Sequence, residues 1–141
     1  MYITQYTDYA LRILLFSASN PDRLINIAEV ADAFSISKSH LTKVVAQLTR
    51  VGVLRSVRGK GGGLCLAQAP TAINVGAVVR LMEPLALVEC HGPDNTCMIS
   101  AHCRLAGVLQ QALQAFLTVL DEYTLADLVR KPELVQMLQR D

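Results

Sequence analysis

No apolar run in this 141-residue chain reaches the length that a membrane-spanning helix needs. The opening residues, Met1-Tyr-Ile-Thr-Gln-Tyr-Thr-Asp8, carry no basic segment followed by an apolar one, as a secretory leader would. The expectation is a cytoplasmic protein in a reducing compartment. There, grouped cysteines bind metal or respond to redox state more often than they crosslink. Charge is also scarce. Charged residues make up 18% of the chain and the net charge is +1, so any surface for a polyanion must be local. No internal repeat or low-complexity tract is visible, which leaves one domain, or a small domain with an appendage. No nucleophile, base and orienting group fall into a hydrolase pattern, so no enzyme is expected. What is abundant is apolar residues, at 52%. That exceeds what a small core needs and points to a buried interface as well.

The local signals are mainly helical. Thr7 is a candidate N-cap for a first helix with Tyr9, Ala10, Ile13, Leu14 and Phe16 at helical spacing, ending before Pro21. Asn26 and Glu29 have capping-box spacing for a short second helix. Ser35-Ile36-Ser37 is a tight connection, Ser37 caps a third helix, and Gly52 suits its C′ position. A β-prone run, Val53–Arg58, the turn Gly59-Lys-Gly-Gly-Gly63 and the returning Leu64-Cys65-Leu66 read as a hairpin. Asn74 caps another short helix that stops at Glu83-Pro84. From Arg104 a long amphipathic helix carries Leu105, Val108, Leu109, Ala112, Phe116, Val119 and Leu120 as a stripe with no evident partner in the N-terminal part, which reads as a dimer seam. Short helices follow from Thr124 and between Glu133 and Gln139. The expected class is mainly α with a small β-hairpin wing. The expected divisions are a winged helix-turn-helix unit (1–84), a cysteine loop (85–103) and a dimerisation segment with C-terminal helices (104–141).

Helix, tight turn, helix and glycine-tipped hairpin is the winged helix-turn-helix order. The third helix would enter the major groove with Ser37, Lys38, Ser39, His40, Thr42 and Lys43 near its start. Arg50 lies at its end, Arg55 and Arg58 in the wing, and Lys60 in the wing's tip. From Lys38 to Lys60 there are six cations and no acid. Taken singly, such features are more often a solvated face, an incidental histidine or a plain turn. Their conjunction in one block makes double-stranded DNA the expected partner.

The densest signal is Cys90-His-Gly-Pro-Asp-Asn-Thr-Cys97-Met-Ile-Ser-Ala-His-Cys103. Thiolates at this spacing select zinc, copper(I) or an iron–sulfur cluster, and a thiol switch uses the same residues. Cys65, between leucines, reads as a small core residue. Asp8 by itself is an ordinary acid in a first helical turn.

Thr7-Asp8-Tyr9-Ala10-Leu11-Arg12, Arg58-Gly-Lys-Gly-Gly-Gly63, Leu81-Met-Glu-Pro84, the cysteine loop and Cys103-Arg-Leu105 together resemble the cluster-binding winged-helix repressors. That family includes the iron–sulfur-biogenesis regulator IscR and the nitric oxide-sensitive repressor NsrR. The resemblance covers nearly the whole chain. The tail Tyr123-Thr-Leu-Ala-Asp-Leu-Val129 is similar to the NsrR branch. The resemblance implies a homodimer on a palindromic operator, nitric oxide as the signal, and one iron–sulfur cluster per subunit on Cys90, Cys97 and Cys103. IscR-like members carry a histidine three residues after the last cysteine, where this chain has Ala106. The NsrR-like fourth ligand is an aspartate from the partner's first helix, which maps to Asp8. His91 and His102 are the alternatives. A four-iron (4Fe-4S) cluster is favoured, and a two-iron (2Fe-2S) cluster would use the same positions. The other functional readings are an IscR-like iron–sulfur or redox-responsive regulator and a structural-metal or thiol-switch regulator.

Overall fold

A computed structural model describes residues 1–139, so the last two residues of the expected 104–141 segment lie outside the described residues. Seven helices and one hairpin follow in order: α1 (Gln5–Ala18), α2 (Ile27–Phe34), α3 (Lys38–Arg50), β1 (Leu54–Val57), β2 (Gly63–Leu66), α4 (Val75–Met82), α5 (Arg104–Asp121), α6 (Leu125–Leu128) and α7 (Pro132–Leu138). Short 3-10 turns lie at Pro70–Ala72, Glu89–His91 and Ser100–His102.

Most of the caps are the expected ones. Asn26 and Glu29 close a reciprocal capping box on α2. The Ser37 hydroxyl accepts the His40 amide at the start of α3, and Asn74 accepts Ala77 at α4. Gly52 follows the C-cap of α3 with φ +80°, a conformation that β-carbon sterics disfavour. The turn between α2 and α3 passes through Ser35 with φ 54°, the one non-glycine residue with positive φ among the described residues.

The cap of α1 differs from the expectation. Thr4, not Thr7, caps this helix, and its side chain accepts the Thr7 amide. Thr7 is fully buried, and its hydroxyl donates to Glu83. Glu83 also accepts the Thr4 hydroxyl at 2.8 Å and the Thr4 amide at 3.2 Å. One carboxylate just past the end of α4 thus gathers the unpaired donors at the start of α1, a partner too distant in sequence for a local cap rule to register.

The core forms where α1, α2 and α3 meet the root of the hairpin. Ile13, Leu14, Phe16, Val30, Leu41, Leu48 and Leu54 are almost completely buried. β1 and β2 pair antiparallel, with Arg55 opposite Cys65 and Val57 opposite Gly63. Ile25 adds a short bridge to Leu64, tying the wing to the residue before α2. The chain returns to this core at its end: Leu125 and Leu138 are buried in it, and Asn20 Nδ2 donates to the Leu138 carbonyl at 2.9 Å.

A second, smaller cluster joins α4 to α5 through Val79, Leu113 and Leu117. This corrects the expectation that the long helix lacks an intramolecular partner. Leu113 and Leu117, outside the expected stripe, are its buried residues. The joint is locked at its far end. Arg80 pairs with Asp121, with Nη2–Oδ2 at 2.9 Å, and Asn74 donates to the Asp121 carbonyl at 2.8 Å. A β-carbon at Gly76 would lie 1.9 Å from Asp121 Oδ1, so glycine is what admits this approach.

Candidate DNA interface and candidate metal centre

The first turn of α3 is exposed at Ser37, Lys38, Ser39, His40, Thr42 and Lys43, while Leu41, Val44, Val45 and Leu48 bury the other face. Arg55, Arg58 and Lys60 are exposed on the wing. Among the described residues, none of the six cations between Lys38 and Lys60 forms an ion pair with an acid. A groove of about 490 Å³ between α3 and the wing is lined by Lys38 and Thr42 on one side and Ser56, Val57 and Gly63 on the other. An uncompensated cationic rim on an open groove suits a phosphate backbone. Gly59 and Gly61, both at positive φ, let the wing tip turn.

Not every expected contact shares this groove. Arg50 hydrogen-bonds Gln47 and sits at the far end of α3, roughly 18 Å along the axis from Lys38. Arg55 reaches back to the Cys65 sulfur at 3.5 Å. The Thr42 hydroxyl donates to the Lys38 carbonyl at 2.7 Å, leaving its lone pairs free. His40 leans toward α1, its ring 6.4 Å from that of Tyr9, and Tyr6 donates to the Lys43 carbonyl at 3.4 Å. One edge of the exposed face of α3, at His40 and Lys43, therefore touches α1.

Asp8 lies on that same helix. Arg12 holds its carboxylate from two sides, Nη2–Oδ2 at 2.7 Å and Nε–Oδ1 at 3.1 Å. The guanidinium also stacks 5.8 Å from the Tyr9 ring and 5.7 Å from the Phe34 ring. The two ion-paired side chains are 39% and 44% exposed, so the pair itself is weak and readily exchanged.

The cysteine loop lies over the start of α5. All four cysteines are free and half-buried. Cys90, Cys97 and Cys103 line one pocket of about 200 Å³ whose walls include Val88, Ile99, Leu105 and Leu109. Glu89 pins the loop, accepting the Thr96 amide at 2.7 Å and its hydroxyl at 2.6 Å. These two bonds, the hydroxyl's foremost, hold the Glu89 carboxyl below its usual range. His91 Nε2 bonds the Ala106 carbonyl at 2.9 Å in the first turns of α5. Among the described residues no three Cys, His, Asp or Glu side chains stand close enough to hold a metal ion. Three soft donors lining one apolar-walled cavity fit a thiolate-bound centre in their chemistry, and the loop would have to draw inward for all three to ligate. The pinning pair Glu89–Thr96 and the clamp at Glu83 had no local sequence signature.

The family described as "Rrf2: Iron-dependent Transcriptional regulator" matches residues 3–131. The chain belongs to the Rrf2 family. Within it, the HTH-type transcriptional regulator NsrR of Halalkalibacterium halodurans is 47% identical over 98% of this chain and 97% of its own length. The NsrR of Bacillus licheniformis is 45% identical over 98% and 99%. CymR, the global cysteine regulator of B. subtilis, has the same fold, with a TM-score of 0.70 at 25% identity, covering 92% of this chain and 96% of its own. T. potens IscR superposes with a TM-score of 0.74 at 24% identity over 99% and 94% of the two chains, a likeness of fold. This Rrf2 protein is thus an NsrR-type, DNA-binding transcriptional regulator with a winged-helix fold and not an enzyme. No helix among the described residues is long and apolar enough to cross a membrane.

Proposed function

We propose that the chain is a cytoplasmic, homodimeric transcriptional repressor that carries an iron–sulfur cluster and leaves a palindromic operator when nitric oxide damages that cluster. The observation that carries this reading is the convergence of Cys90, Cys97 and Cys103 on one pocket at the root of α5. The similarity to NsrR regulators supports the choice of signal.

Cys90, Cys97 and Cys103 would hold the cluster, with Asp8 of the partner subunit as fourth ligand. Three thiolates and one harder donor serve a four-iron cluster well, and a two-iron cluster would use the same set. When bound, the cluster supplies iron to which nitric oxide binds strongly. The chain's own residues do the rest. Drawing the three sulfurs inward fixes the loop against Leu105 and Leu109 of α5. Giving up the Asp8 carboxylate frees Arg12 from its ion pair, leaving it on Tyr9 and Phe34. Tyr9 meets His40 and Tyr6 meets Lys43, so a change in α1 reaches the exposed face of α3 in one step. The exposed face of α5, with Leu105, Val108, Ala112, Phe116 and Val119 flanked by half-buried Leu109 and Leu120, would pair with its copy. A two-fold dimer then sets the recognition helices about 34 Å apart.

The test is anaerobic purification followed by iron and sulfide analysis and titration with nitric oxide, set against oxygen and chelators. The expected result is stoichiometric iron and sulfide, with a spectrum that nitric oxide changes first. A cluster whose spectrum and operator binding nitric oxide leaves intact would refute the signal.

A further inference from the structure

The exposed face of α3 has two edges, and each meets a different element. Lys38 and Thr42 line the groove toward the wing. His40 and Lys43 line a second recess, of about 150 Å³, whose other wall is Gln5, Tyr6 and Tyr9 of α1. Lys38 and Lys43 stand about 140° apart around the helix axis, with exposed Ser39 between them. Gln5, Tyr6, His40 and Lys43 are all exposed. The recess thus offers an amide, a phenol, an imidazole and an ammonium group, and no carboxylate lines it. Lys43 has no acidic partner among the described residues. Asp8, one turn along α1, is neutralised by Arg12. The Tyr6 hydroxyl donates to the Lys43 carbonyl at 3.4 Å, a long surface bond whose proton is easily turned to a better acceptor. Gln5 and Tyr6 are also held in place. Thr4 and Thr7, on either side of them, are both bound by Glu83.

A helix seated in the major groove, about 12 Å wide, has a phosphate strand along each side. The cations of the wing face one strand. We propose that the recess between α1 and α3 holds the phosphates of the other strand, with Gln5 and Tyr6 donating hydrogen bonds to phosphate oxygens beside the Lys43 ammonium. Charge complementarity selects this occupant, since every polar side chain in the recess can donate and none is an acid. Gln5 and Tyr6 lie outside the cationic block and are neutral, so neither stands out in the sequence. The helix that carries Asp8 then touches the operator itself, and a shift of α1 alters phosphate contacts without first moving α3. This inference rests on the operator reading above and not on the cluster.

The test uses anaerobic full-length holoprotein and a palindromic duplex that it selects from a random pool. The duplex is made as a series with one neutral methylphosphonate at each phosphate position in turn. Gel-shift affinities are measured for wild type, Q5A, Y6F and R58A. The expected result is two sets of phosphates whose neutralisation weakens wild type, one on each strand bordering the major groove. Q5A and Y6F should bind the unmodified duplex about three- to tenfold more weakly. Both should also lose the methylphosphonate penalty in one set and keep it in the other, which R58A should lose. That pairing separates a lost contact from a displaced α3, which would weaken both sets. Q5A leaves the bond between Tyr6 and Lys43 in place, so a disturbance of that bond by Y6F cannot decide the outcome. Sensitive phosphates on the wing side alone, or full penalties at every position in both Q5A and Y6F, would overturn this inference and leave the operator reading standing. A holoprotein that enriches no duplex would overturn both.

Discussion

Cations without an acidic partner among the described residues stand on both α3 and the wing, with Lys38 lining the groove between them. Lys43 and Arg58 sit on its two elements. Replacing either with Ala should weaken operator binding and lower the slope of log affinity against log salt by about one. Gel-shift titrations at several salt concentrations check this, and an unchanged slope would remove that residue from the phosphate contacts. At this scale much was legible in the sequence. Asn26, Ser37, Gly52 and Asn74 occupy the positions expected of them because a cap depends on residues within one turn. Thr4 displaced Thr7 because the deciding partner, Glu83, lies 79 residues away. The partner of His91 Nε2 escaped notice for the same reason, since Ala106 contributes only a backbone carbonyl.

Among the elements, α5 carries two apolar faces with different roles. Leu117 is 1% exposed against Val79 of α4, whereas Phe116 is 37% exposed. Leu117→Ala should destabilise the fold by about 2–5 kcal/mol in denaturant unfolding. Phe116→Glu should leave the fold intact and shift the protein toward monomer in analytical ultracentrifugation. A dimer that survives F116E would place the seam elsewhere. The sequence could not separate these faces. Leu105, Val108, Leu109, Ala112, Leu113, Phe116, Leu117, Val119 and Leu120 form one continuous apolar arc over about half of the helix, so periodicity marks a helix without saying which edge of the arc meets α4. The lock at the end of α5 adds a pH dependence. The hydrogen bond from Arg80 holds the Asp121 carboxyl below its usual range and raises the guanidinium in return. A carboxyl depressed in the folded state stabilises above its unfolded value, and that stabilisation disappears as pH falls through the folded value. The stability difference between wild type and D121N should therefore be constant near neutrality, begin to shrink below about pH 4 and disappear as the pH falls further through the depressed folded value. A difference that persists in acid would show that the ion pair is not its source.

For the whole molecule, the arrangement joins three regions through α1. Its start is clamped by Glu83, its middle carries Asp8 and Arg12, and its flank touches α3 at His40 and Lys43. The chain's end closes the same body, with Leu125 and Leu138 buried beside the N-terminal helices. The order of elements makes the winged-helix class readable in the sequence, because helix, turn, helix and glycine-tipped hairpin is a local succession. The return of α6 and α7 to the first core was not readable, since no short-range pattern records which distant surface a terminal helix covers. The central claim is that occupancy of the cysteine pocket decides whether the paired wings hold DNA. The most direct measurement compares one anaerobic preparation before and after its iron is stripped by a chelator. Both forms are titrated onto a palindromic duplex that the iron-loaded protein has selected from a randomised pool. The account predicts that stripping weakens this binding at least about tenfold, or 1.4 kcal/mol. Equal affinity of the loaded and stripped forms would contradict it.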